Sequence, residues 1–205
     1  MPAFLTPWRA VSAMFLLNGA LLGIWASRIP TIREAQGLDK SQFGLLLLVM
    51  AVGALLSFPV AGRLADRFGA VLLTRILAVL YAVSLVGIAL APVSVLALGT
   101  TMFLFGATHG AMDVTMNSWA TEVEKAAGRP IMSSFHALWS VGTGLGALSG
   151  FFAGQIDLET SLHFLLAAVI FSAVCLPFSV VAWKSETVAG GSGSGMCNGQ
   201  SLRGS

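Results

Sequence analysis

The sequence predicts an all-α membrane protein of six transmembrane helices, with both chain termini on the cytoplasmic side. Three observations predict it. Of 205 residues, 56% are hydrophobic and only 10% charged, against roughly 25% charged in a soluble domain; mean hydropathy is +0.86. The charges gather in short clusters that bracket apolar stretches, and a stretch of about 20 such residues crosses a hydrocarbon core of about 30 Å. Lys and Arg also fall mostly on one side. Transmembrane strands would show alternation over about ten residues, and no such pattern is seen.

Taken in order, the spans are predicted at 10–28, 42–62, 71–91, 95–118, 131–153 and 161–183. Arg9 and Arg28 bracket the first, Lys40 and Arg63 the second. Pro92 and Ser94 divide the long uncharged stretch between Arg75 and Asp113 into two. Arg129 and Asp157 bracket the fifth, Glu159 and Lys184 the sixth. With the N-terminus inside, eight basic residues (Arg9, Arg63, Arg67, Arg75, Lys125, Arg129, Lys184, Arg203) are cytoplasmic and three (Arg28, Arg33, Lys40) are outside. That bias sets an N-in, C-in orientation. The first span is read as a retained helix, because one basic residue precedes it and Arg28-Ile29-Pro30 follows directly.

Residues 1–184 are thus one six-helix unit with short loops, the longest being 29–41. Residues 185–205 form a Gly/Ser-rich tail with the composition of a flexible linker. Net charge is +2, which is no basic footprint for nucleic acid. Cys175 and Cys197 are too few for a disulfide framework or a Cys-rich zinc site, and no cofactor or metal is expected. An internal match at an offset of 93 aligns Ser41, Gly53-Ala54-Leu55 and Phe58 with Ser134, Gly146-Ala147-Leu148 and Phe151. It joins spans of opposite direction, as a three-plus-three inverted repeat does.

The loop after the second span reads Gly62-Arg63-Leu64-Ala65-Asp66-Arg67-Phe68-Gly69. Gly62 and Gly69 would permit a tight reversal. Asp66 would accept hydrogen bonds from amides at a helix start, and Arg63 and Arg67 would hold the loop inside. This run resembles the Gly-x-Leu-Ala-Asp-Arg-x-Gly signature of the major facilitator superfamily, at that family's own position. It departs in one respect: Ala70 follows the last glycine, and the next basic residue is Arg75. The resemblance implies that the loop braces against a helix of a second half, which makes Gly62, Asp66, Arg67 and Gly69 gating residues.

A second stretch extends the resemblance. His109-Gly110-Ala111-Met112-Asp113-Val114-Thr115-Met116-Asn117, then Arg129-Pro130 and Ser134-Phe135-His136-Ala137-Leu138-Trp139, is similar to the fucose-permease-like branch. The first span, with Trp25-Ala26-Ser27-Arg28-Ile29-Pro30, looks closer to YbjJ-type bacterial inner-membrane proteins of that superfamily. Fucose permease has an acid in the first span, whereas this span offers only Asn18. The family has twelve helices in about twice this length.

Several residues stand out by chemistry. His109, Asp113 and Asn117 are four apart and share one helix face. The rise of about 1.5 Å per residue puts Asp113 and His136 at similar depth near the cytoplasmic edge. The two would pair, either for proton coupling or as a lock between two helices. Gly142, Gly146, Gly150 and Gly154 form a small-residue stripe for helix packing. Trp25 is either an interfacial belt residue or a ligand-stacking one. His163 is read as interfacial.

The function expected is secondary active transport of a small polar solute, by alternating access against a second six-helix half or a second copy. No Gly-x4-Gly-Lys-Ser/Thr loop is present, so coupling to an ion gradient, of protons by default, is expected. The resemblance adds a sugar-like substrate and the bacterial inner membrane. Two alternatives stand beside it. One is an inactive truncated or frameshifted half. The other is an intramembrane hydrolase built on Ser149 and His163, against which Ala147 stands where a nucleophile elbow has glycine.

Overall fold

The computed structural model describes residues 6–187. These form seven α-helices: α1 (Pro7–Ser27), α2 (Ile29–Ala35), α3 (Lys40–Phe68), α4 (Ala70–Ala89), α5 (Val95–Ala127), α6 (Met132–Gln155) and α7 (Thr160–Ser179). Six are the predicted spans. Five of these are long and apolar enough to cross a membrane; α6, of similar length, is diluted by its glycines, hydroxyls and His136. The seventh, α2, lies within the segment expected to be a loop. Pro30 pre-sets its first turn, and it ends before Gly37 at φ 65°. Gln36 then ties this segment to the α4–α5 connection. Its Nε2 donates to the carbonyls of Ala91 (3.4 Å) and Pro92 (3.3 Å), and its Oε1 accepts from the amide of Ser94 (3.1 Å).

Local chemistry sets the starts of the other helices. Thr6 accepts from the amide of Arg9 ahead of Pro7, the first residue of α1. Asp39 and Gln42 make a reciprocal capping box for α3, at 2.8 and 3.0 Å. Glu124 reaches from α5 to accept from the amides of Ile131 (2.7 Å) and Met132 (2.6 Å) at the head of α6.

The helix ends depart from the predicted bounds. α3 continues to Phe68, so Gly62 is helical and the reversal falls on Gly69 alone, at φ 89°. Asp66 sits exposed in the last turn of α3 and caps nothing; α4 starts from Gly69 without a side-chain cap. The expectation of a Gly62–Gly69 loop with a capping Asp66 is corrected: one residue in the left-handed region suffices to turn the chain. α5 runs on to Ala127 and stops at left-handed Gly128. α7 stops at Ser179, two residues after Pro177, whose ring removes an amide donor.

Beyond α7 the chain crosses the ends of α4 and α5. The guanidinium of Arg75 donates to the carbonyls of Ser179 (3.0 Å from Nε) and Val181 (3.1 Å). Trp183 Nε1 donates to Glu122 (2.7 Å), and Ser185 Oγ accepts from the amide of Val71 (3.1 Å). The rest of the predicted tail, from 188 on, lies outside the described residues.

α1 is central, with Ala10, Val11, Met14, Phe15, Leu17, Leu21 and Ile24 fully enclosed. It packs chiefly on α6, and α3 chiefly on α5; α4 joins α5 and α7. Exchanging the first three long helices with the last three maps α1–α6 onto α5–α3, the contact pattern of an inverted repeat. Gly53 and Gly146, which the offset of 93 aligns, meet equivalent backbone. A Cβ on Gly53 would overlap the carbonyl of Phe103 and crowd the amide of Ala107; one on Gly146 would overlap the carbonyl of Ala20 and crowd the amide of Ile24.

Candidate functional site

His109, Asp113 and Asn117 lie half-buried on one face of α5, well inside the helix. Asn117 Nδ2 donates to the Asp113 carbonyl (2.8 Å) and to its carboxylate Oδ1 (3.2 Å). No cation pairs with Asp113; among the described residues the sole ion pair joins Arg33 to Glu34 at 3.6 Å. The His109 ring faces Tyr81 on α4, with centroids 5.2 Å apart. Tyr81 stacks in turn on Phe105 (4.8 Å), and Phe105 on Trp25 of α1 (5.6 Å). An aromatic column therefore runs from the far end of α1 to the polar stripe of α5. Trp25 is buried in this column.

Asn18 is fully enclosed on α1. Its Oδ1 accepts from Trp139 Nε1 of α6 at 2.9 Å, and its Nδ2 is buried without a partner among the described residues. Trp139 and Tyr81 were not picked out by sequence reasoning. Both were findable: Trp139 is one turn before the glycine stripe, and Tyr81 is the one tyrosine of the chain.

His136 does not pair with Asp113. It is exposed on α6, edge-on to Phe15 of α1 at 5.3 Å. Similar depth is not enough, because α6 packs on α1 and hardly touches α5. The glycine stripe accounts for that choice of neighbour. Gly142 and Gly146 lie against the α1 backbone at Leu16, Ala20 and Ile24, and Gly150 lies against Ser27; Gly154 has only Arg28 nearby. In the signature segment, Arg63, Asp66 and Arg67 are exposed. The Arg67 guanidinium lies 5.1 Å from the Phe68 ring centroid.

Ser149 and His163 do meet, with Oγ to Nε2 at 3.1 Å. The proton inventory decides what the contact is. The Ser149 hydroxyl has one proton, and it goes to the Gly146 carbonyl at 2.6 Å. In the tautomer that satisfies both contacts the bond to His163 is donated by Nε2–H, and the imidazole then has no lone pair there to take the serine proton. A nucleophile needs the opposite arrangement. The pair ties α6 to α7.

At the same end of the bundle, a cavity of about 490 Å³ is lined by Arg28, Thr31, Asp157, Glu159 and Thr160, among others. Arg28 is buried there, donating to the Leu158 carbonyl and, at 3.4 Å, to Thr160 Oγ1.

This architecture is shared with known proteins. The profile described as Major Facilitator Superfamily matches residues 3–196. An uncharacterized transporter of Sinorhizobium fredii, y4wD, is 50% identical over 185 residues, covering 90% of this chain and 49% of its own. The membrane protein MosC of Rhizobium meliloti is 37% identical over 140 residues, 68% of this chain and 34% of its own. An uncharacterized MFS-type transporter of Yersinia pestis is 36% identical over 135 residues, 65% of this chain and 34% of its own. The chain thus spans half or less of the length of these relatives. Among solved structures, a crystal structure of the nucleoside transporter NupG superposes with a TM-score of 0.71 at 14% identity, covering 93% of this chain and 48% of that one. Signature, helix pattern and profile agree: the chain is an integral membrane protein belonging to the major facilitator superfamily.

Proposed function

We propose that this chain forms a six-helix unit of a secondary active transporter that moves a small polar solute by alternating access, coupled to protons. The observation that carries the proposal is Asp113. It sits inside the span toward its cytoplasmic edge, beside a histidine and an asparagine on the same face of α5, with no cation paired to it among the described residues. An ionisable group at that depth is costly and marks a pathway or a coupling site by default. His109 supplies a second group able to change charge near neutral pH. Asn18 and Trp139 couple α1 to α6. His136, on the exposed face of α6, stands apart from Asp113 and is proposed to act from that face.

The unit works against a second six-helix unit, from a further stretch of the same protein or from a second copy. Leu45, Leu48, Val52, Leu55 and Leu56 expose an apolar face on α3, and Val141, Leu145 and Leu148 one on α6. Lipid or a partner helix must cover both. Where the second unit is a further stretch of the same protein, the exposed Asp66 and Arg67, with Gly62 and Gly69, form the cytoplasmic contact between units. The setting is the bacterial inner membrane. The solute is of the sugar or nucleoside kind, the latter being the class named for the structural relative.

The test is transport in proteoliposomes. Radiolabelled uridine and fucose are offered under an imposed proton gradient, to the chain and to full-length y4wD carrying the equivalent change. Asp113→Asn should abolish uphill accumulation while leaving exchange. Accumulation at the unmutated rate would remove Asp113 from coupling.

A further inference from the structure

Tyr81 is enclosed completely in α4, and its hydroxyl has no hydrogen-bond partner among the described residues. The His109 ring lies against it, and His109 Nδ1 is likewise buried without a partner. Nearly all buried polar groups in native proteins find a partner, in protein or in ordered water. Two orphans on rings in contact are more economically served by one shared partner than by two. Their surroundings are polar enough to hold it: one turn further along α4, the Ser84 hydroxyl meets Thr108 of α5 at 3.0 Å.

Among the described residues, α1, α3 and α6 bring no competing charge to this part of α5. α3 approaches this part of α5 with Met50, Ala54 and Phe58. α1 brings Trp25, through Phe105. α6 hardly touches α5. The charge nearest along the helix is Asp113, one turn on.

We propose that Tyr81 is a further positioning residue of the coupling site: its phenol and His109 Nδ1 share one buried water, which fixes the tautomer of the imidazole. The use of that tautomer in transport rests on the reading of His109 and Asp113 given above. In the neutral state the phenol donates to the water and the water donates to Nδ1, leaving the ring proton on Nε2. When Nε2–H and Nδ1 are both protonated, the water turns and accepts from Nδ1–H. The phenol keeps its own proton throughout, so Tyr81 orients and carries nothing.

The one tyrosine of the chain makes the test specific. The whole chain, in detergent, carries 3-fluorotyrosine, and its single ¹⁹F resonance is followed from about pH 5 to 8, where imidazole titrates. The resonance should shift across this range, and the shift should vanish in His109→Gln but persist in His136→Gln and His163→Gln. In ¹⁵N-histidine spectra, Tyr81→Phe should change the Nδ1/Nε2 pattern of His109 alone. A pH-invariant ¹⁹F resonance, or a shift that survives His109→Gln, overturns the proposal. The fluorine measurement needs no substitution at Tyr81, so it decides even if Tyr81→Phe fails to fold. The two readings fail separately. A His109-dependent ¹⁹F shift with undiminished accumulation in Asp113→Asn keeps the Tyr81 site and removes proton coupling through Asp113.

Discussion

Gly144 and Gly146 are two residues apart on α6, yet alanine should act on them in opposite directions. A Cβ on Gly144 meets nothing within 4 Å, whereas one on Gly146 overlaps the Ala20 carbonyl and crowds the Ile24 amide of α1. Backbone cannot rotate out of the way as a side chain can. To admit the methyl group, α1 must move off α6 along their shared face. That movement loosens the contacts of Gly142 with Leu16 and Ala20, and strains the Asn18–Trp139 bond. Overpacking costs about 1–3 kcal/mol, and one strained hydrogen bond adds about 0.5–1.5 kcal/mol. Relief of glycine's poor helix propensity returns about 1 kcal/mol at either position. Gly146→Ala should therefore destabilise the bundle by about 0.5–3.5 kcal/mol, and Gly144→Ala should be neutral or stabilising by up to about 1 kcal/mol. Reversible unfolding of the chain in mixed micelles, followed by tryptophan fluorescence, measures both. Equal effects from the two substitutions, or a Gly146→Ala change below about 0.5 kcal/mol, would refute a backbone-to-backbone contact between α1 and α6.

Two other substitutions follow from hydrogen bonds at the two ends of the bundle. The wild-type chain should not react with a fluorophosphonate probe. Ser149→Ala should cost about 1 kcal/mol through the lost tie to His163; labelling that disappears in Ser149→Ala would instead revive a hydrolase. Glu122 holds the segment after α7 through Trp183 Nε1 and the amide of Glu186. Glu122→Gln should red-shift and quench Trp183 emission and speed limited proteolysis after Lys184, and unchanged cleavage would show that Arg75 suffices to hold the segment.

Charge clusters in the sequence located the six spans, but they mark where the membrane ends and not where the helix ends. α3 carries Arg63, Asp66 and Arg67 in its last turns, and α5 carries Glu122, Glu124 and Lys125. A helix of 33 residues is about 50 Å long, against a core of about 30 Å, so its charged end emerges into water with its hydrogen-bond ladder intact. The opposite error, at α7, came from apolar residues that follow Pro177 without being helical. The stripe on α5 was legible because a spacing of four fixes a face within one helix. The expected meeting of Asp113 with His136 required the relative azimuth of two helices. Spacing within each helix does not supply that. The glycines that turn α6 toward α1 do, and they act through backbone shape, which a search for chemical groups passes over.

The ionisable residues divide by what they bond. Arg28 and Arg75 donate to carbonyls at or just beyond the C-terminal ends of α6 and α7. Glu124 accepts from amides at the N-terminal end of α6, and Asp39 from an amide in the first turn of α3. Cations sit at carbonyl ends and anions at amide ends, the sense in which helix dipoles favour them. Such groups have a structural occupation, and their charge is spent at the membrane faces. Asp113 has none of this. It lies far from both ends of α5, and the one hydrogen bond to its carboxylate among the described residues comes from Asn117 on the same helix, which joins it to no other element. Holding helices together therefore does not explain this carboxylate within the span. The proposed change of charge during the working cycle would explain it, and the accumulation assay on Asp113→Asn tests that proposal.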